Sequence, residues 1–356
     1  MVETAEEAAA QERPPLIVRR PLEDFLDQHG LGAGPLTAER IGEGHSNITF
    51  LVRRGEDRLV LRRPPRPPLP PSAHDVLREA QVIAAIEDTP VRVPRVLATA
   101  SEDESPLGVP FYVMPYVEGE VITTELPEPL DTPEERARMA GELIDGLAEV
   151  HAVDPFSRGL ESFGKPTGYL ERQLRRFSGL WEHNRTRSIP EVEQVTEWLA
   201  HHMPESPPAT IVHGDYRLGN AMYAPEAPAR LVAIFDWELS TIGDPLADLG
   251  YLTATYVEPG DPETPLSGLS QVTRREGFPM RDELISRYEE RTGRPMSDLR
   301  WYQALALWKT AVFLEGNYKR FLQGASDDAW YRLMDEGIPQ IARAALELTK
   351  QPAPTT

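Results

Sequence analysis

The chain contains no cysteine, which excludes a disulfide framework, a thiolate nucleophile and any zinc site built on sulfur. Lysine is scarce: of the 37 basic residues only Lys165, Lys309, Lys319 and Lys350 are lysines. Any task usually given to a lysine in the first half of the chain therefore falls to arginine. Purely apolar runs such as Leu231 to Phe235 are far below the ~20 residues a membrane-spanning helix requires. Met1 to Arg13 is acidic and alanine-rich, without the cationic start and apolar stretch of a secretory leader, and residues 1–14 are expected to form a disordered tail. A cytoplasmic location fits these absences. Positive charge is also in deficit, with 37 basic against 57 acidic residues and a formal net charge of -20. That field repels a phosphate backbone or an anionic bilayer, so neither nucleic acid nor a membrane surface is expected as a partner.

What is present is enough apolar material, 40% of 356 residues, to bury a sizeable core. Leu36 to Ile41, Ile48 to Arg53 and Arg58 to Arg62 read as a three-strand antiparallel meander joined by glycine-bearing turns. Six prolines between Arg62 and Pro71 exclude helix and central strand and predict a stiff connector. Ser72 with Asp75 is a capping-box-like start for a helix that repeats Val76, Ala80, Ile83 and Ile86 on one face. Glu79 lies on that same face and either needs a buried cation or reaches water from the edge of the stripe. After Val93 to Thr99 and a strand at Phe111 to Val117 the pattern turns helical. Helices are expected at Pro133–His151, Thr167–Asn184, Pro190–Met203, Arg281–Thr292, Asp298–Phe321 and Ala329–Leu348, with short strands at Thr210–Val212 and Leu231–Phe235. The outline is α+β: a small sheet-rich lobe over residues 15–117 with one helix, then a larger, mainly helical lobe over 118–356 that carries catalytic and substrate-binding residues.

The most informative stretch is Ile211-Val212-His213-Gly214-Asp215-Tyr216-Arg217-Leu218-Gly219-Asn220. An apolar strand runs into a polar loop, and a second strand ends at Phe235-Asp236. Acceptors are gathered at strand ends. Asp215 can take a proton from a hydroxyl, while Asn220 and Asp236 offer the hard oxygens Mg²⁺ prefers.

This ordered set, His-Gly-Asp with Asn five residues after the Asp and then a strand ending in Asp, resembles the catalytic segment of the aminoglycoside phosphotransferase family, relatives of protein kinases and choline kinases. The resemblance implies a bilobal protein-kinase-like fold and ATP- and Mg²⁺-dependent phosphorylation of a hydroxyl on a small molecule. Carried over by motif, Asp215 is the catalytic base, His213 braces the loop, and Asn220 and Asp236 are metal ligands. Trp237 and Glu238 stand where protein kinases have Phe-Gly, a departure common in this family. Gly243 to Gly250 also matches, and Asp248 among Leu246, Leu249 and Leu252 reads as structural.

The first lobe supports the same reading. Gly42-Glu43-Gly44-His45-Ser46-Asn47 lies between two strands, where Gly42, Gly44, Ser46 and Asn47 are expected to bring backbone amides and side chains to phosphate oxygens. It lacks the Gly-Lys-Ser/Thr ending of a P-loop and opens no helix. Kinase-like sites also need a third-strand cation paired with a glutamate on the next helix. Strand alternation leaves both Arg62 and Arg63 open for that role, and the family pattern favours Arg62 with Glu79. Phe111 to Val117 resembles the strand on which adenine rests, with Met114 behind the ring and Pro115 and Val117 at its edge. Between Arg158 and Arg187 seven cations face three acids, a surplus of four that fits a solvated helix face or, since the resemblance implies that such helices border the acceptor site, an anionic acceptor. The branch that looks nearest, with its Phe-Asp-Trp-Glu-Leu-Ser-Thr-Ile-Gly-Asp-Pro run, resembles kinase domains associated with acyl-CoA dehydrogenases, which implies a hydroxyacyl-CoA acceptor as the alternative to an aminoglycoside. A metal-dependent hydrolase built on His213, Asp215 and Asp236, and a catalytically silent nucleotide-binding module, are the rival classes.

Overall fold

A computed structural model describes residues 1–42, 47–66, 74–326 and 328–350. The chain divides into two compact units, Met1–Glu118 with Asp236–Glu238, and Gly119–Phe235 with Leu239–Thr356.

The first unit contains α1 (Ala5–Ala9), α2 (Arg19–Gln28), β1 (Leu36–Ile41), β2 (Ile48–Arg54), β3 (Asp57–Arg63), α3 (Val76–Ile86), β4 (Ala98–Ala100) and β5 (Phe111–Pro115). Its strands form one antiparallel sheet in the order β1-β2-β3-β5-β4. Strand alternation explains why both phases of β3 look apolar. Phe50, Val52, Leu59, Leu61, Phe111 and Val113 face one way and close a core on Leu22, Phe25 and Leu26 of α2. The opposite face carries Val60, Arg62, Tyr112 and Met114, matched in register as Val60 with Met114 and Arg62 with Tyr112. Period two thus places Arg63 on the α2 side. There it is buried and bonds the carbonyls of Leu16 and Pro64.

Two expectations need correction here. The first fourteen residues are not a loose tail: Val2 bridges to Val18, Glu3 ion-pairs with Arg19 and Arg20, and Thr4 caps α1. A short helix of acidic and alanine residues gains little alone, so the basic start of α2 supplies what holds it. The cap of α3 is Asp75, whose side chain accepts from the Arg78 amide at 3.0 Å. Ser72 and the proline connector beyond Arg66 lie outside the described residues.

The second unit is built from α4 (Pro133–Ala152), α5 (Tyr169–Asn184), α6 (Pro190–His201), α7 (Leu246–Thr255), α8 (Arg281–Thr292), α9 (Leu299–Leu322) and α10 (Met334–Lys350). Two small antiparallel sheets accompany them: β6 (Glu120–Val121) with β8 (Ala221–Tyr223) and β9 (Leu231–Ile234), and β7 (Thr210–Val212) with β10 (Thr241–Gly243). Helix α9 is buried around its circumference, from Trp301 through Leu305 and Trp308 to Leu314, and packs against α5, α6, α7 and α10. A helix apolar on every side becomes the centre of its layer. Sequence patterning missed α2 and α7. Pro21 interrupts the first, while Pro245 and Gly250 punctuate the second, whose surroundings bury it too completely to leave an amphipathic stripe. No helix among the described residues is long and apolar enough to cross a membrane.

Candidate active site

In the first unit, the face of β3 fixed by register presents Arg62 to two carboxylates. Its Nε donates to Glu79 Oε2 at 2.8 Å and its Nη2 to Asp236 Oδ1 at 2.6 Å. The spacing on α3 that put Glu79 on the apolar face is the reason it arrives there with 1% of its side chain exposed. Burial opposes the Arg62 charge, yet Glu79, Tyr112 and Asp236 outweigh it and hold the guanidinium above its usual pKa. For Glu79 burial wins. It lifts the carboxyl to about 7, with Arg62 pulling it down and Asp236 and Glu238 adding repulsion. The two outcomes differ because Arg62 keeps 14% of its side-chain surface and bonds two carboxylates, whereas Glu79 has one positive partner. Arg63, by contrast, is pushed down to about 10 by burial and by Arg66. Of the two arginines left open by alternation, Arg62 is the one that meets Glu79.

Asp236 has φ +67, a left-handed conformation that costs an ordinary residue roughly 1 kcal/mol and that aspartate tolerates better than most. Asn47, 4% exposed, donates from Nδ2 to Glu238 Oε2 at 3.3 Å. Met114 is buried beside Val60 on the Arg62 face, Pro115 ends β5, and Val117 follows half-buried. Gly42 follows β1 with φ +75. Gly44 and Ser46 lie outside the described residues.

In the second unit, β7 delivers His213, Gly214 and Asp215 into a loop held by one carboxylate from α7. Asp248 Oδ2 accepts the His213 amide at 2.7 Å and Oδ1 accepts the Gly214 amide at 2.8 Å. Burial would raise the Asp248 pKa, but His151, His213 and the Gly214 amide hold it below the usual carboxylate range. His151, buried and pushed down by that burial, faces Asp248 through Nε2 at 3.2 Å and Tyr288 through Nδ1 at 2.6 Å. Gly214 has φ +88, and a Cβ there would lie 2.7 Å from the Leu239 carbonyl oxygen. Only glycine fits.

The His213 ring is fixed by its bonds. Nδ1 accepts the Asp215 amide at 3.3 Å, leaving Nε2–H to donate to Phe235 O at 2.9 Å. His213 thus ties the Asp215 loop to the end of β9. Asn220 turns Nδ2 onto both the Asp215 carbonyl and Asp215 Oδ2, each at 2.8 Å, and Arg217 Nε stands 3.4 Å from the same Oδ2. Asp215 remains 21% exposed, so a carboxylate fixed by its neighbours still reaches solvent. Such a group can orient a hydroxyl and receive its proton.

Arg217, His151, Tyr112 and Tyr251 escaped the sequence reading. Burial and Asp215 both hold the Tyr251 phenol well above its usual pKa. The one available signal was Arg217, two residues after Asp215. The others are ordinary helix and strand residues whose neighbours are distant in the chain.

The model of the phosphotransferase enzyme family, APH, matches residues 37–301. The chain is similar to mouse acyl-CoA dehydrogenase family member 10, at 35% identity over 86% of this chain and 28% of that protein. It is also similar to rat acyl-CoA dehydrogenase family member 11, at 34% identity over 93% of this chain and 43% of that protein. It therefore spans less than half the length of either. A crystal structure of a candidate aminoglycoside phosphotransferase from Ralstonia eutropha JMP134 shares 33% identity and a TM-score of 0.81, covering 93% of this chain and 97% of that one. Aminoglycoside phosphotransferase APH(4)-Ia, in ternary complex with AMP-PNP and hygromycin B, has a TM-score of 0.60 at 15% identity over 94% of this chain and 100% of its own, a likeness of fold alone. These likenesses carry the α+β, kinase-like fold class expected from the sequence.

Proposed function

Because the chain belongs to the phosphotransferase enzyme family, we propose that it moves the γ-phosphoryl group of ATP, with Mg²⁺, to a hydroxyl of a small molecule. The observation that carries this reading is Arg62 joined to both Glu79 and Asp236. Three residues from β3, α3 and the segment after β9 meet, and neither a hydrolase nor a simple turn explains that meeting. Phosphoryl transfer asks little covalent chemistry of the protein and much positioning and charge stabilisation.

In this reading Asp215 orients the acceptor hydroxyl and takes its proton. Asn220 and Arg217 hold the carboxylate in place, and His213 and Asp248 brace the loop. Arg62, anchored by Glu79, carries the cation for the phosphates, as lysine does in most kinases. Guanidinium is bulkier and forks, which suits two phosphate oxygens at once. Gly42, Gly44, Ser46 and Asn47 line the phosphates, and Met114, Pro115 and Val117 receive the adenine. Among the described residues no group of three or more His, Cys, Asp or Glu could hold a metal ion. An amide oxygen from Asn220 and a carboxylate from Asp236 nonetheless fit Mg²⁺, which usually takes one or two protein oxygens and fills its octahedron with water and phosphate. When bound, the ion neutralises charge on the transferring group.

The acceptor is either an aminoglycoside-like polyol or, as the second reading, a hydroxyacyl-CoA. The names of the curated relatives and the surplus of four cations between Arg158 and Arg187 favour the second. The cytoplasm, where ATP and Mg²⁺ are plentiful, suits either. ATP turnover measured across a library of aminoglycosides and hydroxyacyl-CoA esters, with Asp215→Asn alongside, tests the reading. Wild type should turn over with one class, and the variant should lose about 10²–10⁴-fold while still binding a nonhydrolysable ATP analogue. Nucleotide binding with no turnover on any acceptor would favour a silent module. Metal-dependent hydrolysis without nucleotide binding would favour a hydrolase.

A further inference from the structure

Beside α5 lies a cavity of about 480 Å³ lined by Lys165, Tyr169, Arg172, Arg175, Arg176 and Thr241. Helical spacing brings Tyr169, Arg172 and Arg176 onto one side of α5. Lys165 comes from the preceding loop and Thr241 from β10. Four cations border the space and no carboxylate does. Many arginines elsewhere reach an acid, among them Arg54, Arg62, Arg136, Arg187, Arg281 and Arg287. Among the described residues none of the four cavity cations has a carboxylate within 4.0 Å, and Arg172 bonds only the carbonyls of Lys165 and Thr167. In a chain of net charge -20 such a cluster runs against the composition. Like charges so close repel, and the repulsion is felt nearby: Lys309, 4.9 Å from the Phe177 ring, is pushed down to about 8 by burial and by Arg176.

We propose that this cavity is a binding site for a ligand carrying at least two linked phosphate groups. Guanidinium forks match phosphate oxygens in pairs, and four positive charges exceed the roughly -2 that a single phosphate group carries, so a ligand with linked phosphates neutralises them better. Thr241 is the register partner of Val212, the residue before His213, so the cavity adjoins the strand that carries the Asp215 loop. That adjacency favours the anionic end of the acceptor itself over a separate effector, and this arm rests on the phosphotransfer reading.

The test is calorimetric titration with inorganic pyrophosphate, with citrate as a trianion lacking phosphate, on wild type and Arg175→Glu/Arg176→Glu. A second pair, Arg320→Glu/Arg332→Glu, makes the same change in net charge elsewhere. Wild type should bind pyrophosphate more tightly than citrate, and more weakly as salt rises. The cavity pair should lose at least tenfold in affinity with a thermal midpoint no lower than that of wild type and unchanged affinity for a nonhydrolysable ATP analogue. Equal loss in both variant pairs, or pyrophosphate displaced by the nucleotide analogue and indifferent to the cavity pair, overturns the site. If the analogue itself fails to bind, the phosphotransfer reading falls while the pyrophosphate result still stands. Competition between pyrophosphate and the acceptor assigns the cavity to the acceptor. Binding without competition assigns it to an effector and overturns that arm alone.

Discussion

Glu79 illustrates how one residue carries opposing demands. Its helix buries it, burial raises its pKa, and Arg62 returns part of the cost. A carboxyl whose folded pKa is about 7 against an unfolded value near 4.5 contributes stability that is complete below the unfolded pKa and lost as pH rises through the folded one. The wild-type thermal midpoint, measured against that of Glu79→Gln, should therefore fall between those two values. The span is about 3 kcal/mol at most, since each unit is worth about 1.4 kcal/mol. Parallel pH profiles for the two proteins would refute it. At this scale the sequence was legible where a polar residue broke an apolar pattern, as Glu79 and the His-Gly-Asp loop do. His151 was not, because a histidine at the end of a helix announces nothing until Asp248, 97 residues later, faces it.

Among the elements, α7 matters through a single side chain. Asp248 gives each of its oxygens to a backbone amide of the loop after β7, so the helix sets the conformation from which Asp215 projects. Asparagine at 248 keeps one acceptor and orphans one buried amide, a loss of about 1–3 kcal/mol. Asp248→Asn should lower the thermal midpoint and reduce turnover while leaving the affinity for a nonhydrolysable ATP analogue intact. An unchanged midpoint would show that the clamp is dispensable. Strands β1, β2, β3 and β5 and most of the long helices could be bounded within a few residues, from apolar runs closed by turn residues in the strands and from helical periodicity in the helices. Helix α7 could not, because it is enclosed on several sides and begins at a proline. The short strands β6 and β10, of two and three residues, carry too little sequence to show a period at all.

For the molecule as a whole, ligand binding and stability are linked: whatever binds only the folded chain raises its thermal midpoint. A nonhydrolysable ATP analogue with Mg²⁺ at a hundred times its Kd should add about 2.7 kcal/mol. Asp236→Ala should lose the part that depends on Mg²⁺ while keeping the part that does not. A full Mg²⁺-dependent shift in that variant would remove Asp236 from the metal site. From composition and order alone came the division into a sheet-rich first part and a helical second part, the motif around Asp215, and the need for arginine where lysine is absent. These are properties of period, spacing and residue type, which a linear chain displays directly. The face of β3 that carries Arg62, the bond from Arg62 to Asp236, the Asp248 clamp and the cation-lined cavity came only with tertiary structure. Each depends on which face of an element meets which distant neighbour, and burial and partner charge are set by that meeting.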